Sequence, residues 1–344
     1  MGSLSECRIR KATRDDIDNI AEFIEKYWNP DHILCKSKEF MEWQHCFWGE
    51  VCFVIAENKE SHELEGIVGY IPYAKGKERD VFGALWKVRN NRYPMLGLKL
   101  KLYLMNHIGA KTLSAIGLNP NTLELHRRSG SFLGTLKHYY LLSDQEEYKI
   151  AKIVTKIIIP YNREKEQYRM ERLQDVERIK GVCDREKRQK KFPEKSFDFI
   201  CHRYLQHPVY RYQIWEIRNG EDTMGMFVMR KIDCNSVSVL RIVDYIGDTG
   251  AIAHTGAELQ KLLKGYEYID FYLYGIEDDI LKDAGFVLKP DDDSNIIPNY
   301  FEPFVQKNIL LDFFSSSGDV VLFRGDGDQD RPNFIGEIRI DDAN

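Results

Sequence analysis

The first part of the chain alternates between short apolar runs and one helical repeat. Residues 7–12 have the pattern of a short strand. Thr13 to Asp16 is a helix-start signal, and the apolar positions 17, 20, 23 and 24 that follow share one helix face. Residues 51–57 and 64–73 then predict a pair of strands. The chain is therefore expected to open with a strand, helices and a β-meander.

The pattern from residue 82 onward predicts alternating strands and helices. Residues 82–89 predict a strand, 92–100 a loop entering a helix, and 111–117 a further strand. A short helix then closes on a glycine at position 130. After the midpoint, residues 152–159 predict a strand followed by a charged helical stretch.

Similar segments recur in the same order in the two halves of the chain. The matched positions and their separations are Phe40 and Phe197 (157 residues), Gly69 and Gly225 (156), and Gly130 and Gly285 (155). Ordered recurrence at nearly constant spacing indicates an internal duplication. We therefore predict two tandem domains, 1–147 and 148–344, each a central mixed β-sheet flanked by helices in the α+β class.

Composition fits a compact globular protein with no metal site. Of 344 residues, 43% are apolar and 30% are charged, which is near the average for such proteins. No run approaches the ~20 apolar residues that cross a bilayer, and the start of the chain lacks a signal-peptide pattern, so we expect a cytoplasmic location and no membrane partner. The seven cysteines show no CxxC spacing, so they are interpreted as ordinary reduced thiols.

The charge balance argues against DNA binding. The net charge is −5, whereas nucleic-acid binders are usually basic. One local exception is the segment 161–191, which contains eleven Lys or Arg residues and seven Asp or Glu residues. Such a run is usually a solvated helix face, and a docking surface for an acidic partner is the alternative.

The element order and the closing glycines resemble the GNAT family of acetyl-CoA-dependent N-acyltransferases. In that family the fourth strand leads into an Arg/Gln-x-x-Gly-x-Gly/Ala loop at a helix N-terminus, where backbone N–H groups hold the pyrophosphate of CoA. In this chain Arg92 and Gly97 fall on the pattern, and Met95 stands where the first glycine belongs. The resemblance implies acyl-CoA contacts by Val88, Arg89, Arg92, Tyr93, Pro94, Met95, Leu96, Gly97, Leu98 and Lys99. The equivalent stretch 242–251 carries two carboxylates and no basic residue, so the CoA site is expected in the first half.

The same resemblance suggests catalytic residues. Asn119 lies eleven residues before the closing glycine, as in the family, and His126 stands where the family has a Tyr that protonates the leaving thiolate. His32 or His45 is a candidate base, although helix capping or core packing would also explain each histidine. Acceptor contacts are expected from Trp43, His45, Trp86, Asp244 and His254. The backbone N–H near Val88 or Arg89 is the expected oxyanion donor.

The stretches 82–142 and 325–332 also resemble GNAT proteins found with bacterial surface-polysaccharide enzymes. Asp326, Asp328 and Asp330 in the second stretch lack the spacing of an EF-hand, so a turn is favoured over a calcium site. This resemblance implies an amino sugar, free or nucleotide-linked, as the acceptor.

These observations favour an acyltransferase that moves an acyl group from acyl-CoA, acetyl or longer, to a small-molecule amine. An acyl carrier protein as donor and a homodimer remain open. Two alternatives also remain. One is an aminoacyl-tRNA-dependent ligase of the peptidoglycan type, favoured only by the basic run. The other is a non-catalytic binding module, favoured by the departures at Met95 and His126.

Overall fold

The computed structural model describes residues 6–89, 93–186, 192–292 and 294–333. It divides into two compact units. The first unit comprises Met1–Ala115 with Arg331–Asn344, and the second comprises Ile116–Asp330. The division at residue 115 lies upstream of the expected boundary at 147, because the strand Lys137–Leu142 pairs within the sheet of the second unit. Each unit is described by itself.

The first unit is built on one mixed sheet with strand order β1-β4-β5-β6-β7. Its elements are β1 (Cys7–Lys11), α1 (Ile17–Tyr27), α2 (Ile33–Lys36), α3 (Lys38–His45), β2 (Cys46–Phe47), β3 (Glu50–Val51), β4 (Phe53–Asn58), β5 (Leu64–Pro72), β6 (Arg79–Val88), α4 (Leu96–His107) and β7 (Ala110–Ile116). Neighbouring strands are antiparallel except β6 and β7, which run parallel. A short 3₁₀ turn, Arg14–Asp16, precedes α1.

Packing in this unit follows the apolar positions of the sequence. The predicted face of α1, at positions 17, 20, 23 and 24, is buried. Helix α4 approaches the sheet closely at Gly66, where a Cβ would lie 2.9 Å from Cδ1 of Leu100. A glycine at this position of β5 therefore lets α4 settle directly on the strand.

The second unit contains a larger mixed sheet and several short strands. Its elements are α5 (Leu123–Arg128), β8 (Phe132–Thr135), β9 (Lys137–Leu142), β10 (Lys152–Ile153), β11 (Arg169–Arg172), α6 (Val176–Glu186), α7 (Phe197–Ile200), β12 (Tyr212–Asn219), β13 (Asp222–Cys234), β14 (Val237–Gly247), α8 (Gly256–Leu263), β15 (Tyr268–Tyr274), α9 (Asp278–Asp283), β16 (Val287–Leu288), β17 (Asn295–Ile296), β18 (Tyr300–Phe301), β19 (Phe304–Val305), β20 (Asp312–Ser315) and β21 (Leu322–Phe323). The main sheet has the order β11-β12-β13-β14-β15-β9-β16, and β21 also pairs with β15. Strands β14 and β15 are parallel, whereas β9 is antiparallel to β15.

The predicted α+β class with two mixed sheets and flanking helices is confirmed. The predicted strand 152–159 is largely wrong, because only Lys152–Ile153 forms a strand. The backbone N–H groups of Val154 and Thr155 donate instead to the side-chain Oδ1 of Asn295, and Val154 is 68% exposed. A charged helix follows only at α6. Within the described ranges, no helix combines the length and the apolarity needed to cross a membrane.

Candidate functional site

The first unit contains a split between its two parallel strands. Pairing of β6 with β7 runs from Arg79 opposite Ala110 to Phe82 opposite Ser114 and then stops. Strand β6 continues to Val88, still paired with β5 on its other side. Beyond Phe82, the β6 residues at 83, 84, 86, 87 and 88 all lie at intermediate burial, whereas 81, 82 and 85 are buried. The second half of β6 therefore presents one backbone edge that β7 does not cover.

A bulge in β6 lies where this split begins. Gly69 of β5 stands opposite Leu85, and the next residue, Tyr70, stands opposite Gly83, so Ala84 is the extra residue. A bulge of this kind bends a strand and increases its twist. It therefore helps to turn the end of β6 away from β7.

The register of β5 and β6 identifies the backbone groups on the open edge. The N–H of Arg89 donates to the carbonyl of Glu65 at 2.9 Å, so Arg89 faces β5. Antiparallel pairs alternate in direction, and Val88 therefore directs its N–H and C=O toward the open edge. The amide of Arg89 is thus bonded within the sheet, whereas that of Val88 faces the open edge, and the oxyanion role of either stays a prediction.

Helix α4 begins close to the end of β6. Met95 precedes the helix with φ 65°, in the left-handed region that glycine favours. This is the position at which the family loop has its first glycine, so the chain keeps the glycine-like conformation with a methionine. A Cβ on Gly97 would lie 3.2 Å from Nε1 of Trp86, so the glycine allows α4 to start against the indole ring. Among the described residues, no side chain caps this helix N-terminus.

The remaining predicted loop residues have mixed environments. Arg92 lies outside the described residues. Tyr93 is buried, and its hydroxyl accepts a hydrogen bond from Asn58 Nδ2 at 2.9 Å. Leu96 is buried, Met95 is 56% exposed, and Pro94 and Lys99 are also exposed. The loop thus combines a buried tyrosine anchor with a solvent-facing helix start.

Arg89 points to the α1 side of the sheet. Its guanidinium donates to Glu63 at 2.6 Å and lies 4.9 Å from the ring centroid of Tyr27. Together with His62 and Lys26 these residues line a shallow surface recess. The side chain of Arg89 is therefore held by a carboxylate and an aromatic ring in the first unit.

His32 lies at the start of α2 and is buried. Its Nδ1 accepts from the N–H of Leu34 at 3.2 Å, and its Nε2 lies 3.0 Å from Nη2 of Arg331. Burial, together with the charge of Arg331, lowers the pKa of His32 to about 3. Because both ring nitrogens face N–H donors, the protonated form is disfavoured, and His32 is a weak proton acceptor as placed.

His45 and Trp43 belong to α3, and Trp86 belongs to β6. His45 is fully buried, contacts the carbonyl of Tyr70 at 3.3 Å and packs on Phe53. Burial lowers its pKa to about 3. Trp43 packs on Phe40 with ring centroids 5.2 Å apart. His45 therefore contributes to the core of the first unit, and only Trp86 of these three residues lies on the split strand.

The other predicted site residues belong to the second unit. His126 is buried in α5 and stacks on Phe314 with ring centroids 4.0 Å apart. Asn119 is exposed, and its side chain caps the 3₁₀ turn Pro120–Thr122. His254 Nδ1 lies 2.8 Å from the carbonyl of Glu166. Their predicted roles in catalysis or acceptor binding stay predictions.

Asp244 occupies a buried polar cluster in the second unit. It accepts from Lys195 Nζ at 2.6 Å and from the Tyr204 hydroxyl at 2.6 Å. No local pattern indicates this pairing, because Lys195 lies 49 residues upstream. Asp244 thus has two strong protein partners at the position where a carboxylate was expected to repel phosphate.

The acidic turn at 325–332 forms ion pairs with basic side chains of the same unit. Asp326 pairs with Lys195 at 2.9 Å, and Asp330 pairs with Arg230 at 2.9 Å. Arg230 lowers the pKa of Asp330 against the opposing effect of burial. Within the described part of the chain, no group of three or more His, Cys, Asp or Glu side chains is placed to hold a metal. Asp326 and Asp330 are therefore partners in buried ion pairs.

Comparison with known proteins gives similarity at the level of the fold. No protein-family profile matches the chain. No curated protein matches it in sequence either. A crystal structure of a GCN5-related N-acetyltransferase from Anabaena variabilis matches with a TM-score of 0.57 and 11% identity, over 90% of this chain and 72% of that one. A probable N-acyltransferase from Enterococcus faecalis matches with a TM-score of 0.54 and 11% identity, over 89% and 72%. The chain therefore has the fold of the GCN5-related N-acetyltransferases.

Proposed function

We propose that the protein is a tandem GNAT-type N-acyltransferase that binds acyl-CoA in the split of its first unit. The observation that carries the proposal is the uncovered edge of β6 beyond Phe82, which ends beside the start of α4. An uncovered strand edge and a helix N-terminus attract different parts of one ligand. Acyl-CoA carries both parts.

The strand edge suits the pantetheine arm. Backbone N–H and C=O groups require partners, and an extended ligand with amide groups can pair with a strand edge as an added strand does. Pantetheine contains two amides in an extended chain. The open-edge groups of Val88 lie at the point where such a chain would leave the split toward α4.

The helix start suits the pyrophosphate. The first N–H groups of a helix have no partner inside the helix, and its dipole favours an anion. Gly97 at the second helical position leaves backbone N–H groups accessible, and the left-handed backbone at Met95 turns the chain into the helix. These features support a pyrophosphate at α4, as expected for Met95, Leu96, Gly97 and Leu98.

The reaction needs few side chains from the protein. An amine attacks the thioester carbonyl, and a β6 backbone N–H such as that of Val88 stabilises the developing oxyanion. The C–S bond then breaks, CoA leaves as the thiolate, and the proton lost by the amine passes to that thiolate. Holding both reactants in place can supply much of the acceleration. His32 has a pKa of about 3, so we assign little of the rate to it as a base.

The acceptor and the second copy are inferred from the sequence pattern and the strand topology. We infer an amine acceptor, with an amino sugar as the class suggested by the polysaccharide-cluster resemblance. The tandem interpretation is supported by the spacing of the repeated segments and by a bulge and a parallel strand pair in each unit. A carrier-protein donor would share the pantetheine arm and would need no nucleotide contacts at α4.

Calorimetric titration with acetyl-CoA and longer acyl-CoAs tests this proposal. Gly97→Glu places a carboxylate beside the proposed pyrophosphate and should weaken binding at least tenfold. Gly181→Glu is the matched control, since Gly181 lies in α6 with open space around its Cβ position. Equal affinities for the two variants, or no heat with any thioester, would refute acyl-CoA binding at α4.

A further inference from the structure

We propose that residues 322–326, here called the plug, fill the split of the second unit, so that each chain binds one acyl-CoA, in the first unit. The second half of this statement rests on the proposed function. The first half concerns the second unit alone. It follows from the strand registers, hydrogen bonds and burial of that unit.

The second unit has a split at the same place in its strand order. Pairing of the parallel strands β14 and β15 runs from Leu240 opposite Ile269 to Ile242 opposite Phe271 and then stops. Val243 is the extra residue of a bulge at this point, since Met229 stands opposite Ile242 and Val228 opposite Asp244. Bulge and separation thus occur together in β14, as they do at Ala84 in β6.

The plug hydrogen-bonds to both walls of this split. On one side Leu322 and Phe323 pair with Tyr274 and Leu273 of β15, and the N–H of Arg324 donates to the carbonyl of Tyr272 at 3.2 Å. On the other side the N–H of Gly325 donates to the carbonyl of Val243 at 2.6 Å. The backbone groups that a bound pantetheine would satisfy are therefore satisfied by the chain itself.

The side chains of the plug are fitted to the split. Phe323 is 3% exposed and stacks on Phe271 with an interplanar angle of 3°. At Gly325 a Cβ would lie 2.5 Å from the Tyr204 hydroxyl and 2.6 Å from the Val243 carbonyl oxygen. Only glycine can bring the backbone this close to β14 without moving these neighbours.

A buried charge cluster fixes the end of the plug. Asp326 accepts from the N–H of Phe323 at 2.7 Å and pairs with Lys195 at 2.9 Å. Lys195 also pairs with Asp244 of β14. Lys195 therefore links the end of the plug to β14 through two buried carboxylates.

Burial distinguishes the two splits. Every residue of β14 from Val243 to Gly247 is buried, whereas β6 beyond its bulge is mostly at intermediate burial. The turn after β14 carries Asp248, whose carboxylate accepts from the N–H of Gly250 at 2.9 Å. A carboxylate therefore caps the turn where the first unit would hold a phosphate.

Hydrogen–deuterium exchange of the whole protein, with and without saturating acetyl-CoA, tests the plug. We expect the amides of Phe323, Arg324 and Gly325 to exchange slowly in both samples, and residues 83–89 and 96–99 to gain protection with the ligand. Calorimetry should give one acetyl-CoA per chain. Rapid exchange at 323–325 in the free protein, faster exchange there upon binding, or two ligands per chain would overturn the inference. A single ligand that protects β14 instead of β6 would overturn it as well.

A glycine pair provides a matched perturbation. Gly325→Ala should displace the plug and speed exchange at 322–326 at least tenfold, while the stoichiometry at the first unit stays at one. Gly318→Ala is the control, because its Cβ would meet nothing closer than 3.9 Å, and its exchange at 322–326 should match wild type. Unchanged exchange in Gly325→Ala would contradict the tight fit. Absence of any acyl-CoA binding would refute the proposed function and the stoichiometry, whereas slow exchange at 323–325 would still support the plug.

Discussion

Replacement of Met95 by glycine should stabilise the first unit. Met95 adopts φ 65° and ψ 8°, and its side chain is 56% exposed, so little packing is lost on truncation. A non-glycine residue in the left-handed region costs ~1–2 kcal/mol. The greater freedom of glycine in the unfolded chain offsets ~0.5–1 kcal/mol of that gain. We therefore expect Met95→Gly to raise the free energy of unfolding by about 0.5–1 kcal/mol.

Urea unfolding followed by tryptophan fluorescence is a suitable assay, since Trp86 lies against the start of α4. Met95→Ala is the control, because alanine removes the same side chain and keeps the backbone strain. The alanine variant should be no more stable than wild type. Equal stabilisation by alanine and glycine, or a loss of stability with glycine, would refute the argument from backbone strain.

Two further predictions concern buried polar groups. Burial lowers the pKa of His45 to about 3, below its value near 6.5 in the unfolded chain, so its contribution to stability is complete above pH 6.5 and is lost as the pH falls toward 3. Between pH 6.5 and 5 this loss is ~2 kcal/mol. In urea unfolding at these two pH values, the free energy of unfolding should fall by about that much less in His45→Gln than in wild type. An equal fall in the two proteins would exclude His45 as the source of the pH dependence. Arg241 and Asp270 form a fully buried pair at 2.6 Å, so Arg241→Met should destabilise the second unit by ~3–5 kcal/mol, and Arg241→Met with Asp270→Leu should recover more than half of this loss. A loss below 1 kcal/mol for the single variant in urea unfolding would contradict the importance of the pair.

The sequence predicted the strand and helix order of the first unit well because its signals are local. The helix-start signal at Thr13 precedes α1 as expected, and the strand predicted at 64–73 is β5, Leu64–Pro72. Strand β6 also lies where the pattern indicated, with its end at Val88. Periodicity and turn residues depend on neighbours within a few positions, so they are visible in a single sequence.

The buried partners of the predicted site residues could not be predicted in the same way. His126 was a candidate acid by its position in the family pattern, and the sequence did not indicate that it stacks on Phe314, 188 positions later in the chain. Asp244 looked like an available carboxylate, yet Lys195 and Tyr204 satisfy it. Such pairings arise from contacts between distant segments, and no local pattern encodes them.

The aspartates at 326 and 330 are a partial exception. Residues 320–324 have the pattern of a strand followed by a turn, and β21, Leu322–Phe323, lies there. The local pattern could not indicate that this strand pairs with β15 or that the two aspartates meet Lys195 and Arg230. The glycine at 325 is a further signal, because a glycine beside a strand often marks a close backbone approach.

The position of β9 bears on where the chain could be divided. β9 lies within the first of the two predicted domains, 1–147, but it pairs along six positions, Lys137–Leu142, with β15. A gene fragment ending at residue 147 would carry this strand without its partner, and the complementary fragment would expose the edge of β15. Exposed edges promote aggregation. Division of the chain at residue 147 would therefore create two unpaired strand edges, and both fragments are expected to be prone to aggregation.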